Sequence, residues 1–165
     1  MLCTIAEINQ MGQDAFVEAL GVVFEHTPAI AHQAWCQHPF TDITELHQAM
    51  VNVANAMSQE EQLALIRAHP DLGSKAKMAA ASVKEQAGVG LDRMTSQEYE
   101  RFLSLNQRYK DKFGFPFIVA VKNHTKDSIF AAFESRLENT PEVEMQHAIT
   151  EITKIARFRL VDLIS

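Results

Sequence analysis

Residues 95–121 read TSQEYERFLSLNQRYKDKFGFPFIVAV, and this stretch decides between a helical bundle and an alternating α/β fold. Thr95-Ser-Gln-Glu98 is a capping box: the threonine hydroxyl accepts from the backbone three residues on, and the glutamate reaches back to the first N–H. Phe102, Leu105, Asn106 and Tyr109 follow at helical spacing. The run Phe113-Gly-Phe-Pro-Phe-Ile-Val-Ala-Val121 is different. It is apolar and partly β-branched, and Pro116 keeps it from opening as a regular helix. It reads as one short extended segment near 113–121. Such a segment leaves backbone N–H and C=O groups in need of partners, which a ligand can supply; the alternative is a buried connector. No strand pattern elsewhere alternates with helix in the βαβ manner.

Outward from this stretch the punctuation is helical. Residues 12–25 place Phe16, Val17, Leu20, Val23 and Phe24 on one stripe, and Pro28 restarts the chain. From Pro28 the pattern stays helical to Gln37, where His38-Pro39-Phe40 breaks it. Asp42 or Thr41 caps the next helix, which carries Leu46, Met50, Val53 and Met57. Ser58-Gln-Glu-Glu61 is a second capping box, ahead of Leu63, Leu65 and Ile66. The last long helix begins near Pro141, with Ala148, Ile152, Ile155, Leu160 and Leu163 as its expected core residues. The fold class predicted is all-α: a single domain over residues 1–165, built as a bundle of about eight helices.

Composition narrows the function classes. A chain of 165 residues is long enough to bury about two-thirds of its unfolded surface. A formal charge of −6 without a Lys/Arg run argues against a nucleic-acid partner, since phosphate binding needs a clustered basic face. An anionic small substrate then needs a local cationic anchor. Cys3 and Cys36 fit neither a zinc spacing nor a disulfide framework, and read as reduced structural thiols. The histidines show no His-x-x-x-His pair with an adjacent carboxylate, so no metal site is expected. No apolar run reaches membrane-spanning length and no signal-peptide pattern opens the chain, so no membrane partner is expected and a cytoplasmic location is the default.

Three elements carry candidate chemistry. His69 follows a buried helix and precedes Pro70, which disfavours helical backbone at the residue before it. A histidine fixed at a helix end where the chain surfaces suits a general acid or base, or else a structural hydrogen bond to a helix-terminal carbonyl. Ser82, Glu85 and Gln86 sit at helical spacing among alanines and glycines. Ser-x-x-Glu is also a capping box, but Gly88 and Gly90 follow almost at once, and Gln86 adds a hydrogen-bonding group a cap does not need. Cap and site are compatible, because a helix N-terminus offers free N–H groups to an anion. Arg159 lies between Phe158 and Leu160, seven residues after Ile152 on the inward stripe. An inward arginine requires a partner: Glu85, Asp71 or a substrate carboxylate. The alternative is a solvated arginine at the helix C-terminus.

Together these blocks resemble the OHCU decarboxylases, which decarboxylate 2-oxo-4-hydroxy-4-carboxy-5-ureidoimidazoline in urate breakdown. The resemblance rests on His69-Pro-Asp-Leu-Gly, Ser82-x-x-Glu85-Gln86-Ala-Gly-x-Gly-Leu, Leu105-Asn-x-x-Tyr109-x-x-Lys112-Phe-Gly-Phe-Pro-Phe117, Arg136-Leu-x-Asn139 and Ile155-Ala-x-x-Arg159-Leu. It runs from Pro28 and the His38-Pro-Phe triplet to the end of the sequence. Two positions depart from the family's habit: Ala29 stands where an aromatic residue is frequent, and His38 where arginine is frequent.

The resemblance implies an all-helical enzyme with no metal or organic cofactor. It implies His69 as catalytic acid/base with Glu85 as its carboxylate partner, and Ser82 and Gln86 as hydrogen-bonding groups for the ureido and ring atoms. Arg159 would meet the anionic end of the substrate, while Pro70 and the backbone of Phe117, Ile118, Val119 and Val121 would line the pocket. The product would be (S)-allantoin, and a homodimer is a candidate assembly. Two other readings compete: a helical interaction module without catalysis, and a decarboxylase for a related ureido-imidazolone.

Overall fold

The computed structural model describes residues 2–69, 90–91 and 93–165. Among them are eight α-helices: α1 (Ile5–Gln10), α2 (Gln13–Leu20), α3 (Ala29–Ala34), α4 (Ile43–Ala56), α5 (Gln59–Arg67), α6 (Ser96–Phe113), α7 (Lys126–Arg136) and α8 (Pro141–Leu163). Among the described residues no strand forms; the single ladder contact is an isolated parallel bridge between Cys3 and Ile164. The all-α expectation therefore holds.

The helix starts follow the sequence chemistry. Ser58 and Thr95 form the two expected capping boxes, with Glu61 and Glu98 answering their caps. Asp42, not Thr41, caps α4 by accepting from the Glu45 N–H, while the Thr41 hydroxyl donates to the Glu45 carboxylate. Further boxes open α1 at Thr4 and α7 at Thr125. α6 stops at Gly114, whose φ of 78° is a left-handed cap position that glycine adopts without a Cβ penalty.

The chain forms two compact units, Met1–Ala68 with Thr153–Ser165, and His69–Ile152. In the first, Ile8, Phe16, Leu20, Ile30, Leu46 and Met50 make a core closed to solvent. Asn9 ties in the loop before α4, its amide nitrogen donating to the Phe40 carbonyl and its oxygen accepting the Phe40 N–H, both at 2.8 Å. His38 packs its ring on Trp35, with centroids 4.5 Å apart. In the second unit the core is aromatic: the Phe117 and Phe133 rings stack at 3.7 Å, and Tyr109 meets Phe117 edge-on at 5.3 Å.

Two expectations need correction. The helix read over 12–25 stops at Leu20 and tightens to a 3-10 turn over Gly21–Val23. A side chain at position 21 would lie 3.3 Å from the Pro28 ring, so the returning chain packs directly on this backbone. Phe16, Leu20, Val23 and Phe24 are still buried. At the other end, Leu163 is half-buried and Ile164 takes the core position. The bridge to Cys3 draws the chain out of α8 at that point, with Cys3 N–H donating to the Leu163 carbonyl at 3.0 Å.

Candidate functional site

His69 is the first residue past the C-cap of α5, and it is buried. The helix ends here because Pro70 follows, which places His69 directly after the C-cap. Pro70, Ser82, Glu85 and Gln86, like Asp71, lie outside the described residues.

The apolar segment between α6 and α7 forms neither helix nor strand from Gly114 to Ala120, yet Phe115, Phe117, Ile118, Val119, Ala120 and Val121 are all buried. Its backbone polar groups must therefore be satisfied one by one. Arg136 Nη1 donates to the Ile118 carbonyl. Glu151 Oε1 accepts the Ala120 N–H at 3.1 Å. The Ala120 and Val121 carbonyls accept from Asn123 and His124 in the 3-10 turn that follows. Among the described residues no hydrogen bond is found from the N–H of Val119 or of Val121.

Behind the segment sits a cluster that the sequence reading did not assign. Glu144 is closed to solvent on the first turns of α8. Its Oε1 accepts from Arg136 Nε and from the Tyr109 hydroxyl, each at 2.6 Å, and its Oε2 from Asn139 Nδ2 at 2.9 Å. The Arg136 guanidinium also lies 4.3 Å above the Phe117 ring. Burial, reinforced by the Glu144 carboxylate, pushes the Tyr109 phenol well above its ordinary value near 10. A signal for the cluster was present: Glu144 is four residues before Ala148, and Glu151 four before Ile155. The helical argument that turns Arg159 inward turns both glutamates inward too.

Arg159, in the first unit, is buried as the sequence predicted. A carboxylate that holds it was not among those named: Glu25 Oε2 lies 3.1 Å from Arg159 Nη2, and the Val23 carbonyl accepts from Nη1 at 3.4 Å. Local geometry aims Glu25 inward. The 3-10 turn ends at Val23, and His26 takes a left-handed φ of 49°, uncommon for a residue with a Cβ. Thr27 then closes the loop by donating its hydroxyl to the Glu25 carbonyl at 2.9 Å. A groove of about 430 Å³ in the same unit, lined by Gln33, Gln37, Phe40, Glu45, Asn52 and Val53 among others, includes none of the predicted site residues.

The comparisons agree in direction. The OHCU decarboxylase family profile matches residues 9–161. The 2-oxo-4-hydroxy-4-carboxy-5-ureidoimidazoline decarboxylase of Halalkalicoccus jeotgali is 44% identical over 160 residues, covering 97% of this chain and 91% of that one. The uric acid degradation bifunctional protein PucL of Bacillus subtilis is 46% identical over 98% of this chain, which spans only 33% of that longer protein. Among solved structures, an (S)-allantoin synthase superposes with a TM-score of 0.80 at 32% identity, covering 98% of this chain and 54% of that chain. On the extent and continuity of these matches, the chain belongs to the OHCU decarboxylase family.

Proposed function

We propose that this protein decarboxylates 2-oxo-4-hydroxy-4-carboxy-5-ureidoimidazoline to (S)-allantoin in urate breakdown, using side chains and backbone alone. The observation that carries this is the match to the Halalkalicoccus jeotgali decarboxylase over 97% of the chain.

The substrate supplies its own electron sink. As the bond from C4 to the carboxylate breaks, its electron pair moves toward C5 and the C5=N bond opens onto nitrogen, which takes a proton. The C4 hydroxyl then loses its proton to become a carbonyl, and C5 gains one. The protein has to orient the carboxylate, exclude water and deliver the C5 proton to one face. In this reading His69, with Glu85 as its partner, moves the proton at the hydroxyl or at C5. Arg159 meets the anionic end, held in place by Glu25. Ser82 and Gln86 hydrogen-bond the ureido and ring atoms, and Pro70 with the backbone of 117–121 lines the pocket. The burial of His69 and of the segment supports these roles, because a dry site strengthens each polar contact.

The proposal extends to a cytoplasmic site of action and to a homodimeric assembly, which sedimentation of the purified protein measures. Among the described residues no helix is long and apolar enough to cross a membrane.

The test is an assay of freshly generated substrate with chiral detection of the product. Wild type is expected to speed decay and yield one enantiomer. His69→Asn should lose about two to four orders of magnitude in turnover, the usual worth of a positioned proton donor. Near-normal turnover with unchanged stereochemistry would remove His69 from the proton path. A related ureido-imidazolone consumed faster than this substrate would reassign the specificity.

A further inference from the structure

The anchoring of the 114–121 segment leads past the residues that touch substrate. Its two buried side-chain anchors fall at Ile118 and Ala120, two residues apart. That is the repeat at which an extended chain presents the same edge. Ala120 is itself extended, with φ −75° and ψ 92°. Tying the Ile118 carbonyl and the Ala120 N–H to the protein leaves the Val119 and Val121 N–H groups on the alternate register. For those two, no hydrogen bond is found among the described residues.

We propose that Arg136, backed by Glu144, and Glu151 are positioning residues for the reaction: they fix the edge of the 117–121 backbone that faces the substrate. This rests on the reading that the segment lines the pocket. Stability alone is a poor account of the arrangement. Arg136 is 4% exposed and its Nη2 finds no hydrogen-bond partner among the described residues, while an apolar pair of similar volume would fill the space without charge desolvation. What the charged pair supplies is direction. Glu144 holds Arg136 Nε, and Asn139 and Tyr109 hold Glu144. The guanidinium carbon lies 4.3 Å over the Phe117 ring, and Nη1 donates to the Ile118 carbonyl. Glu151 completes the register from α8. The N–H groups left on the other edge are pure donors, suited to the carbonyl oxygens of a ureido or imidazolone group.

The experiment uses the full chain. Arg136→Ala would strand Glu144 as a buried charge, so the working variant is the neutral pair Arg136→Met/Glu144→Gln, beside Glu151→Leu and Glu151→Gln. Each is measured for unfolding by urea, for KM and kcat with freshly generated substrate, and for movement of the Val119 and Val121 amide signals in ¹H–¹⁵N spectra on adding (S)-allantoin. The neutral pair and Glu151→Leu are expected to raise KM about tenfold with a smaller change in kcat, as for loss of one backbone contact shared by ground and transition states. The Val119 and Val121 shifts on adding allantoin should shrink. Glu151→Gln keeps an acceptor for the Ala120 N–H and should recover most of the loss seen with leucine. A folded neutral pair with wild-type KM and wild-type amide shifts overturns the proposal. Should the neutral pair fail to fold, the two Glu151 variants decide it: equal, wild-type KM values overturn it, and a split between them upholds it. If the wild-type amides do not move on adding allantoin, the reading of the segment as a pocket wall fails and takes the proposal with it. If they move and the variants bind normally, only the proposal fails.

Discussion

Among the described residues, two buried arginine–carboxylate pairs stand out, and they are built differently. Arg136 and Glu144 are eight residues apart, joined at 2.6 Å, with Tyr109, Asn139 and a backbone carbonyl drawn into the same cluster. Arg159 and Glu25 are 134 residues apart in sequence and meet at 3.1 Å beside the Val23 carbonyl. The first pair is local and serves the backbone around it. The second closes a long loop of chain and places a guanidinium that we assign to the substrate carboxylate. On this reading the same chemistry does two jobs.

The largest expected effect comes from breaking either pair on one side. Glu144→Ala should cost about 3–5 kcal/mol in urea unfolding, because it leaves Arg136 buried without its carboxylate. Glu25→Ala should also destabilise the protein, because it removes a carboxylate 3.1 Å from the buried Arg159 guanidinium. The comparison sharpens in the neutral replacements: Arg136→Met/Glu144→Gln should recover most of the stability, since desolvation of both charges is relieved together. A neutral pair as unstable as the single variant would show that shape, not charge, sets the cost.

Next in size is the phenol. Tyr109→Phe removes a 2.6 Å hydrogen bond to a buried carboxylate and should cost about 1.5–3 kcal/mol at neutral pH. Its pH dependence has a definite sign. The unfolded phenol ionises near 10 while the native one, held neutral by burial and by Glu144, does not. Above pH 10 the unfolded state therefore binds fewer protons than the native state, and this contribution is lost as pH rises, by about 1.4 kcal/mol per pH unit. Wild type should thus lose its advantage over Tyr109→Phe in alkaline solution. A constant difference between the two through pH 10 and above would mean the phenol ionises alike in both states.

How much of this was legible in advance follows from range. Capping boxes are local, and Ser58 and Thr95 announced α5 and α6 correctly. Pro116 and Gly114 announced the irregular segment. The inward direction of Arg159 followed from its spacing to Ile152, because helical period acts over a few residues. The Glu25 carboxylate beside it did not follow. Glu25 reaches Arg159 through a 3-10 turn and a left-handed residue, and no periodicity records either one. Glu144 and Glu151 were legible in principle, on the stripe of Ala148 and Ile155, but the core reading of that helix looked only for apolar residues. His69 and the segment 113–121 were legible from local chemistry, whereas the assignment of 117–121 to a pocket wall came from resemblance to the family. Ser82, Glu85 and Gln86 drew their roles from resemblance to the family.

The smallest of these effects on stability tests whether the second arginine touches substrate. Arg159→Lys keeps a cation beside Glu25, so stability should fall by only about 1–2 kcal/mol, within the ordinary range for single substitutions. What is lost is the planar fork that grips a carboxylate with two parallel bonds. On our assignment KM should rise about tenfold with kcat less affected, the signature of binding lost equally from ground and transition states. The measurement is a saturation curve with freshly generated substrate, beside urea unfolding of the same preparation. If KM is unchanged while stability falls, Arg159 serves stability alone and the substrate carboxylate must be read by another group. If KM rises while stability holds, the long-range pair is there to aim a residue that grips the substrate itself, whereas the local pair acts on substrate only through the backbone it fixes.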